Sequence, residues 1–173
     1  SADASYMLRL LKEMFSLGIT TEKLEAYATR LGADCPFFIT SRPVYATGIG
    51  NEFHPIDLDL SGWHLVVVKP DVFVSTKEAY SMVKPEKPEV TLDQKIAQPI
   101  SEWRNAISND FEKGIFALHP ELSDMKEKLY SLGAKYAAMS GSGSALFGLF
   151  ESPIENLEQH FDGCFCEQQK LSL

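Results

Sequence analysis

The sequence lacks any apolar run approaching the roughly 18 residues that a membrane-crossing helix needs. It has only three cysteines, Cys35, Cys164 and Cys166. So few, in odd number, exclude a disulfide scaffold and fit reduced thiols in the cytoplasm. Positive charge is also in short supply. Sixteen Lys and Arg stand against 24 Asp and Glu, a net charge of -8. That balance argues against nucleic acid or an anionic membrane surface as partner. It leaves room for a local anion pocket built from backbone N–H groups. No Gly-Lys-Ser/Thr follows any glycine-rich stretch, so there is no Walker loop. Internal repeats and low-complexity tracts are absent. The first residue is Ser1, not Met, and it opens directly into a helical pattern. This chain is therefore expected to be a piece of a longer protein, the alternative being a trimmed tag or a processed Met.

What is present is globular composition: 45% hydrophobic and 23% charged residues in a chain of 173. That length suits one domain or two small ones and needs no metal or disulfide staple. Residues 1–17 carry Met7, Leu8, Leu11, Met14 and Phe15 at helical spacing. A second helix, capped by Thr20 or Thr21, runs to Gly32 with Leu24, Tyr27, Ala28 and Leu31 as its buried stripe. Phe37-Phe38-Ile39 and Val44-Tyr45-Ala46 read as the two strands of a hairpin. The boundary between units is expected in the stretch Asp57 to Gly62, giving domains 1–57 and 63–173.

From Trp63 the pattern changes. His64 to Val68 is nearly continuous apolar sequence, typical of a strand covered on both faces. Ser75-Thr76-Lys77-Glu78 and Thr91-Leu92-Asp93-Gln94 are capping boxes. A helix is expected over 102–117 and another over 120–132. Strands are expected at Tyr136 to Met139 and Ala145 to Phe150. A third box at Ser152 to Glu155 opens a helix, and 163–167 is a last strand. The whole predicts an α+β chain whose second unit is a ferredoxin-like split βαβ domain.

Four stretches could carry chemistry. Ser1-Ala2-Asp3-Ala4 begins a helix with small residues, and unpaired helix-start amides attract phosphate. The Ser1 hydroxyl could reach that phosphate or a magnesium ion. The alternative is an ordinary helix start. Asp34 is framed by Gly32 and Pro36 and followed by aromatics, a frame that would hold a general base half out of water. The alternative is an Asp that caps its own turn. Met139-Ser140-Gly141-Ser142-Gly143-Ser144 is longer and richer in hydroxyls than a hairpin turn requires. Its amides could converge on an anion, or it could be a turn only. Asn109-Asp110 reads as a solvated helix face. Cys164, Cys166 and His160 faintly suggest metal but lack a fourth ligand and common zinc spacing. Cys35 reads as buried filler.

Taken in order, "SADA", "GADCPFF", "SND" and "MSGSGSALF" resemble the small-molecule kinases of the GHMP superfamily. "YATGIGNEF" and "KPDVFVSTKEAY" are similar to the branch that phosphorylates an alcohol on a cytidine diphosphate conjugate in non-mevalonate isoprenoid biosynthesis. The resemblance runs over essentially the whole chain. It implies ATP and Mg2+ as cofactors and a small-molecule substrate. Asp34 would be the base, Ser1 and Ala2 the end of the ATP phosphate loop, and Gly141, Ser142 and Gly143 part of the nucleotide site. Thr76, Tyr80 and Ile49 would line the substrate pocket, with Tyr80 an aromatic plate for the cytosine. Residues 1–57 would be the remnant of the nucleotide-binding domain. The resemblance also implies that a lysine partner for Asp34 and most of the glycine-rich loop lie ahead of Ser1. By itself the piece is then expected to be inactive, with an exposed apolar patch and possible self-association. The alternatives are a homoserine-type or mevalonate-type member of the same superfamily, or a non-catalytic ferredoxin-like binding module.

Overall fold

The computed structural model describes residues 1–172. The chain divides into two compact units, Ser1–Leu58 and Asp59–Leu173.

The first unit opens with α1 (Ala2–Met14) and α2 (Thr21–Thr29). Thr20 caps α2, its hydroxyl accepting from the Lys23 N–H at 3.4 Å. Leu24, Ala28, Cys35 and Ile39 form the core, with Ala4, Leu8 and Ile19 packed against it. So small a core takes only one narrow face of α1. Of the expected stripe, Leu8 packs inward, whereas Met7, Met14 and Phe15 are more than half exposed. Phe37 to Ile39 is not a strand. It lies in a one-turn helix, α3 (Phe37–Thr40), which closes on Ser41 in the left-handed region. A hairpin does follow, but one step later: β1 (Val44–Thr47) pairs antiparallel with β2 (Glu52–Pro55). Gly48 and Gly50 take positive φ in the turn between them.

The second unit is built on an antiparallel sheet in the order β4-β5-β3-β6. Its strands are β3 (His64–Lys69), β4 (Tyr136–Met139), β5 (Leu146–Phe150) and β6 (Phe165–Lys170). Numbered within the unit, that order is second, third, first, fourth, the split βαβ arrangement. Val66 and Val68 of β3 are fully buried, as a central strand requires. Between β3 and β4 run α4 (Thr76–Met82), α5 (Leu92–Ile96), α6 (Ile100–Ala106), α7 (Glu112–Leu118) and α8 (Pro120–Ser131). Both boxes mark helix starts: Ser75 Oγ accepts from the Glu78 N–H at 3.4 Å, and Gln94 Oε1 accepts from the Thr91 N–H at 3.3 Å. The single helix expected over 102–117 is broken into α6 and α7. Ile107 turns extended, and the Asn109 carbonyl oxygen Oδ1 accepts from the Phe111 N–H at 2.9 Å, which ends one helix and starts the next. The box at Ser152 opens no helix. Gln168 of β6 instead accepts from the Ile154 N–H at 2.7 Å, and only α9 (Leu157–His160) follows.

The core of this unit gathers Val66, Val68, Ile115, Leu122, Leu129, Met139, Leu146 and Phe150. Tyr136 packs edge-on against Trp103 and Phe147. Burial holds its phenol well above the ordinary value of 10.0. The neutral form is therefore favoured by folding, and that contribution is intact below pH 10.0 and lost as pH rises toward the raised folded value. We expect the Tm of the second unit to fall steeply above about pH 10. A Tyr136→Phe protein should show a shallower fall over the same range in thermal melts.

Candidate active-site elements

In the first unit, Ser1 is the N-cap of α1, yet its side chain makes no capping bond. The first intrahelical bond runs from the Ser5 N–H to the Ser1 carbonyl at 3.2 Å. The amides of Ala2, Asp3 and Ala4 thus have no acceptor among the described residues, and they converge at the positive end of a 13-residue helix.

Ser5 is fully buried. Its hydroxyl lies 3.0 Å from the Ser1 carbonyl oxygen and 2.7 Å from that of Cys35, sharing one proton between them. This side chain ties the first turn of α1 to the peptide next to Asp34. Cys35 and Pro36 are buried and anchor the turn, which leaves the Asp34 side chain outside. Asp34 is exposed rather than half out of water. It also caps nothing: among the described residues its carboxylate has neither a hydrogen-bond nor an ionic partner. A β-carbon placed on Gly50 would stand 3.3 Å from Asp34 Oδ1, so the β1–β2 turn lies directly against the carboxylate. Ile49, 80% exposed, is at the tip of that turn. The Asn51 side chain braces it by accepting from the Ile49 N–H at 3.3 Å.

In the second unit the loop from Ser140 to Ser144 joins β4 to β5. Ser140 N–H donates to Ala145 O at 2.8 Å, and Gly143 N–H to Ser140 O at 3.0 Å. Among the described residues the Gly141 and Ser142 amides have no acceptor. The Ser144 hydroxyl donates to Val72 O at 2.6 Å, which fixes the loop's far end to the segment after β3. The Ser142 and Thr76 hydroxyls lie 3.2 Å apart. Tyr80, one turn further along α4 and 67% exposed, meets Phe111 edge to face with ring centres 4.9 Å apart.

Gly143 has φ +91°, and a β-carbon there would stand 2.6 Å from the sulfur of Met139, itself 2% exposed. Gly143→Ala should therefore cost about 2 kcal/mol, from overpacking and a left-handed backbone. Gly141 has φ +55° but open space around it. Gly141→Ala should cost about 1 kcal/mol, from the left-handed backbone alone. Urea unfolding of the two variants reads the difference.

Ser1, Ala2, Asp34 and Ile49 thus belong to the first unit, and Thr76, Tyr80, Gly141, Ser142 and Gly143 to the second. Two residues with no assigned role in the sequence turn out to hold the end of β4 and the start of the glycine loop. Asn109 bonds the Met139 and Gly141 carbonyls, and Glu112 bonds the Met139 amide. The spacing Asn-x-x-Glu before an apolar helix is the signal available in the sequence. Two shallow hollows lie elsewhere. One, of about 440 Å³, is lined by residues including Leu132, Lys135 and Phe150, at the end of β4 and β5 opposite the glycine loop. The other, of about 360 Å³, lies between α9 and β6. Burial pushes the thiols of Cys164 and Cys166 up from their ordinary value, the opposite of what an activated thiolate needs. No cluster of three potential metal ligands occurs among the described residues.

Comparison with known proteins fits this geometry. Residues 94–164 match the family described as GHMP kinases C terminal. The chain is 53% identical over 171 residues to the 4-diphosphocytidyl-2-C-methyl-D-erythritol kinase of Bacteroides fragilis, covering 99% of this chain and 62% of that protein. It is 53% identical over 173 residues to the kinase of the same name from Parabacteroides distasonis, covering 64% of it. The chain therefore spans less than two thirds of the length of these relatives. Among solved structures, a 4-(cytidine 5'-diphospho)-2C-methyl-D-erythritol kinase superposes with TM-score 0.80 at 30% identity, over 96% of this chain and 62% of that one. A homoserine kinase from Cytophaga hutchinsonii shares the fold, with TM-score 0.59 at 15% identity. The second unit carries a GHMP kinase C-terminal domain, and over its whole length the chain is similar to these kinases.

Proposed function

We propose that these residues serve an ATP-dependent kinase that phosphorylates a hydroxyl on the methylerythritol part of 4-diphosphocytidyl-2-C-methyl-D-erythritol, a step of non-mevalonate isoprenoid biosynthesis in the cytoplasm. The first unit, to about residue 57, belongs to the nucleotide-binding and catalytic domain. The second, from about residue 63, is the C-terminal domain. One observation carries the reading. Ser5 joins the amide-rich start of α1 to the peptide beside an unpartnered Asp34. A phosphate site and a free carboxylate thereby become neighbours.

Phosphoryl transfer asks for little covalent chemistry. It needs charge on the phosphates to be balanced and a hydroxyl to be held in line. The terminal phosphate of ATP is bound at the first turn of α1, by the Ala2 to Ala4 amides and the free Ser1 hydroxyl. Asp34 accepts the proton of the substrate hydroxyl as its oxygen forms a bond to the terminal phosphorus. The bond to the bridging oxygen breaks, and ADP leaves with that electron pair. Open approach to the Asp34 carboxylate requires the bare backbone of Gly50. Tyr80 offers an exposed ring for the cytosine, Thr76 a hydroxyl for the linker, and Ile49 an apolar contact. The free amides of Gly141 and Ser142 suit a nucleotide phosphate.

Magnesium commonly takes one or two protein oxygens plus the substrate's phosphates. The Ser1 hydroxyl, uncommitted to capping, fits that modest demand. When bound, Mg2+ neutralises charge developing on the phosphate oxygens.

Among the described residues no Lys or Arg pairs with Asp34. The 173-residue chain by itself is expected to be inactive, and self-association through the exposed side of α1 is expected of it. Activity is therefore to be tested on protein expressed from the full open reading frame that encodes these residues. That protein should transfer labelled phosphate from ATP to 4-diphosphocytidyl-2-C-methyl-D-erythritol in preference to homoserine or mevalonate. Transfer to homoserine or mevalonate alone would replace the substrate assignment, and transfer to none of the three would favour a binding module.

A further inference from the structure

We infer that Asn109 is the positioning residue of the Ser140–Ser144 loop, holding its free amides where a phosphate of the nucleotide is bound. This rests on the kinase reading above for the identity of the ligand, but not for the clamp itself.

β4 is an edge strand. Such an edge exposes unpaired backbone groups at alternate residues, here Ala137 and Met139. Both are covered by side chains. The Tyr130 hydroxyl donates to Ala137 O and accepts from Ala137 N–H, both at 3.1 Å. Glu112 Oε1 accepts from Met139 N–H at 2.8 Å, and Asn109 Nδ2 donates to Met139 O at 2.8 Å. With these bonds the strand is satisfied.

Asn109 does one thing more. Its second N–H donates to Gly141 O, also at 2.8 Å. That bond leaves the strand and enters the loop. It lies immediately beside the Gly141 and Ser142 amides that have no acceptor among the described residues. Edge covering does not require it. The amide's orientation is fixed by chemistry. Oδ1 accepts from Phe111 N–H, so the nitrogen must face the two carbonyls. An Asn has two N–H donors, and both are used on the loop side. Through Phe111 the same side chain is linked to the ring that Tyr80 leans on.

The two faces of the amide can be separated. Asn109→Asp keeps the acceptor for Phe111 N–H but sets a carboxylate oxygen against two carbonyl oxygens. Asn109→Ala removes both faces without adding repulsion. A residue that only fills space would tolerate the isosteric Asp better than Ala. A positioning donor predicts the reverse order.

The experiment uses protein expressed from the full open reading frame, as wild type, Asn109→Asp and Asn109→Ala. Amide hydrogen exchange is followed by mass spectrometry in the peptide spanning residues 139–145. Exchange should quicken by about tenfold or more in the Asp variant, and less in Ala. In steady-state assays the Asp variant should raise the KM for ATP by about tenfold while leaving the KM for the alcohol within about threefold. Ala should shift both. Loop exchange equal to wild type in Asn109→Asp, or milder effects in Asp than in Ala, would overturn the assignment. An unchanged KM for ATP beside a loosened loop would overturn its link to the nucleotide. If the wild-type protein transfers no phosphate, the kinase reading falls, and the exchange order alone decides whether Asn109 clamps the loop.

Discussion

Asp34→Asn is expected to lower kcat by about 10²–10⁴-fold, the usual share of a general base, in protein expressed from the full open reading frame. The substitution keeps size and shape and removes the proton acceptor. Asp34 is exposed, and among the described residues its carboxylate holds nothing, so the fold has nothing to lose. The Tm should therefore stay within the change expected of about 0.5 kcal/mol at a surface position. Binding should persist as well, since the proposed function rests the phosphate on main-chain amides of α1 and not on this carboxylate. The signature is a fall in kcat with KM for both substrates nearly unchanged. A variant that loses less than about tenfold in kcat would remove Asp34 from the role of base.

The second large effect is on stability. Glu112 is 7% exposed and makes two bonds that matter. Oε1 takes the Met139 N–H, and Oε2 lies 2.6 Å from Lys126 Nζ. Glu112→Ala leaves the Lys126 charge unpaired with only 18% of its side chain exposed. It also leaves a buried edge amide without an acceptor. Breaking such a pair from one side costs about 3–5 kcal/mol. In a unit of this size that amounts to a Tm lower by about 10 °C or more. Glu112→Gln keeps an acceptor for Met139 and should cost less than half as much. Adding Lys126→Met to Glu112→Ala removes the stranded charge and should recover part of the loss. Equal melting of Glu112→Ala and wild type would show that β4 is held without this pair.

The two effects separate the layers of the molecule. In the proposed function Asp34 carries chemistry and no structure, while Glu112 holds the end of β4 from which the loop leaves. Asn109 lies between them, covering a strand edge with one N–H and reaching the loop with the other.

Where the sequence was readable, a local rule was in force. The apolar run at 64–68 reads as a strand, and it is the interior strand β3, but only Val66 and Val68 are buried, while Leu65 and Val67 on the other face are half-buried. Capping boxes at Ser75 and Thr91 marked their helices because the partners lie three residues apart. Asp34 stood out because glycine and proline frame it. Where it was misread, distant contacts decided. Phe37-Phe38-Ile39 has the residue types of a strand but finds no strand to pair with, and curls into one helical turn. β2 is Glu-Phe-His-Pro, too polar to announce itself, and exists because the Gly48–Gly50 turn returns the chain along β1. The helix period across 102–117 stays in phase through Ile107 and Phe111. Only the Asn109 side chain, whose targets lie 30 and 32 residues away, shows why it must break. For the same reason the clamp on the glycine loop was invisible beforehand, while the loop itself was not.

The most direct measurement is a crystal structure of protein from the full open reading frame with a non-hydrolysable ATP analogue and 4-diphosphocytidyl-2-C-methyl-D-erythritol bound. The terminal phosphate should rest on the Ala2 to Ala4 amides, with the acceptor hydroxyl about 2.6–3.2 Å from an Asp34 oxygen. A hydroxyl beyond reach of Asp34 even through one water, or a phosphate bound away from the first turn of α1, would contradict the account.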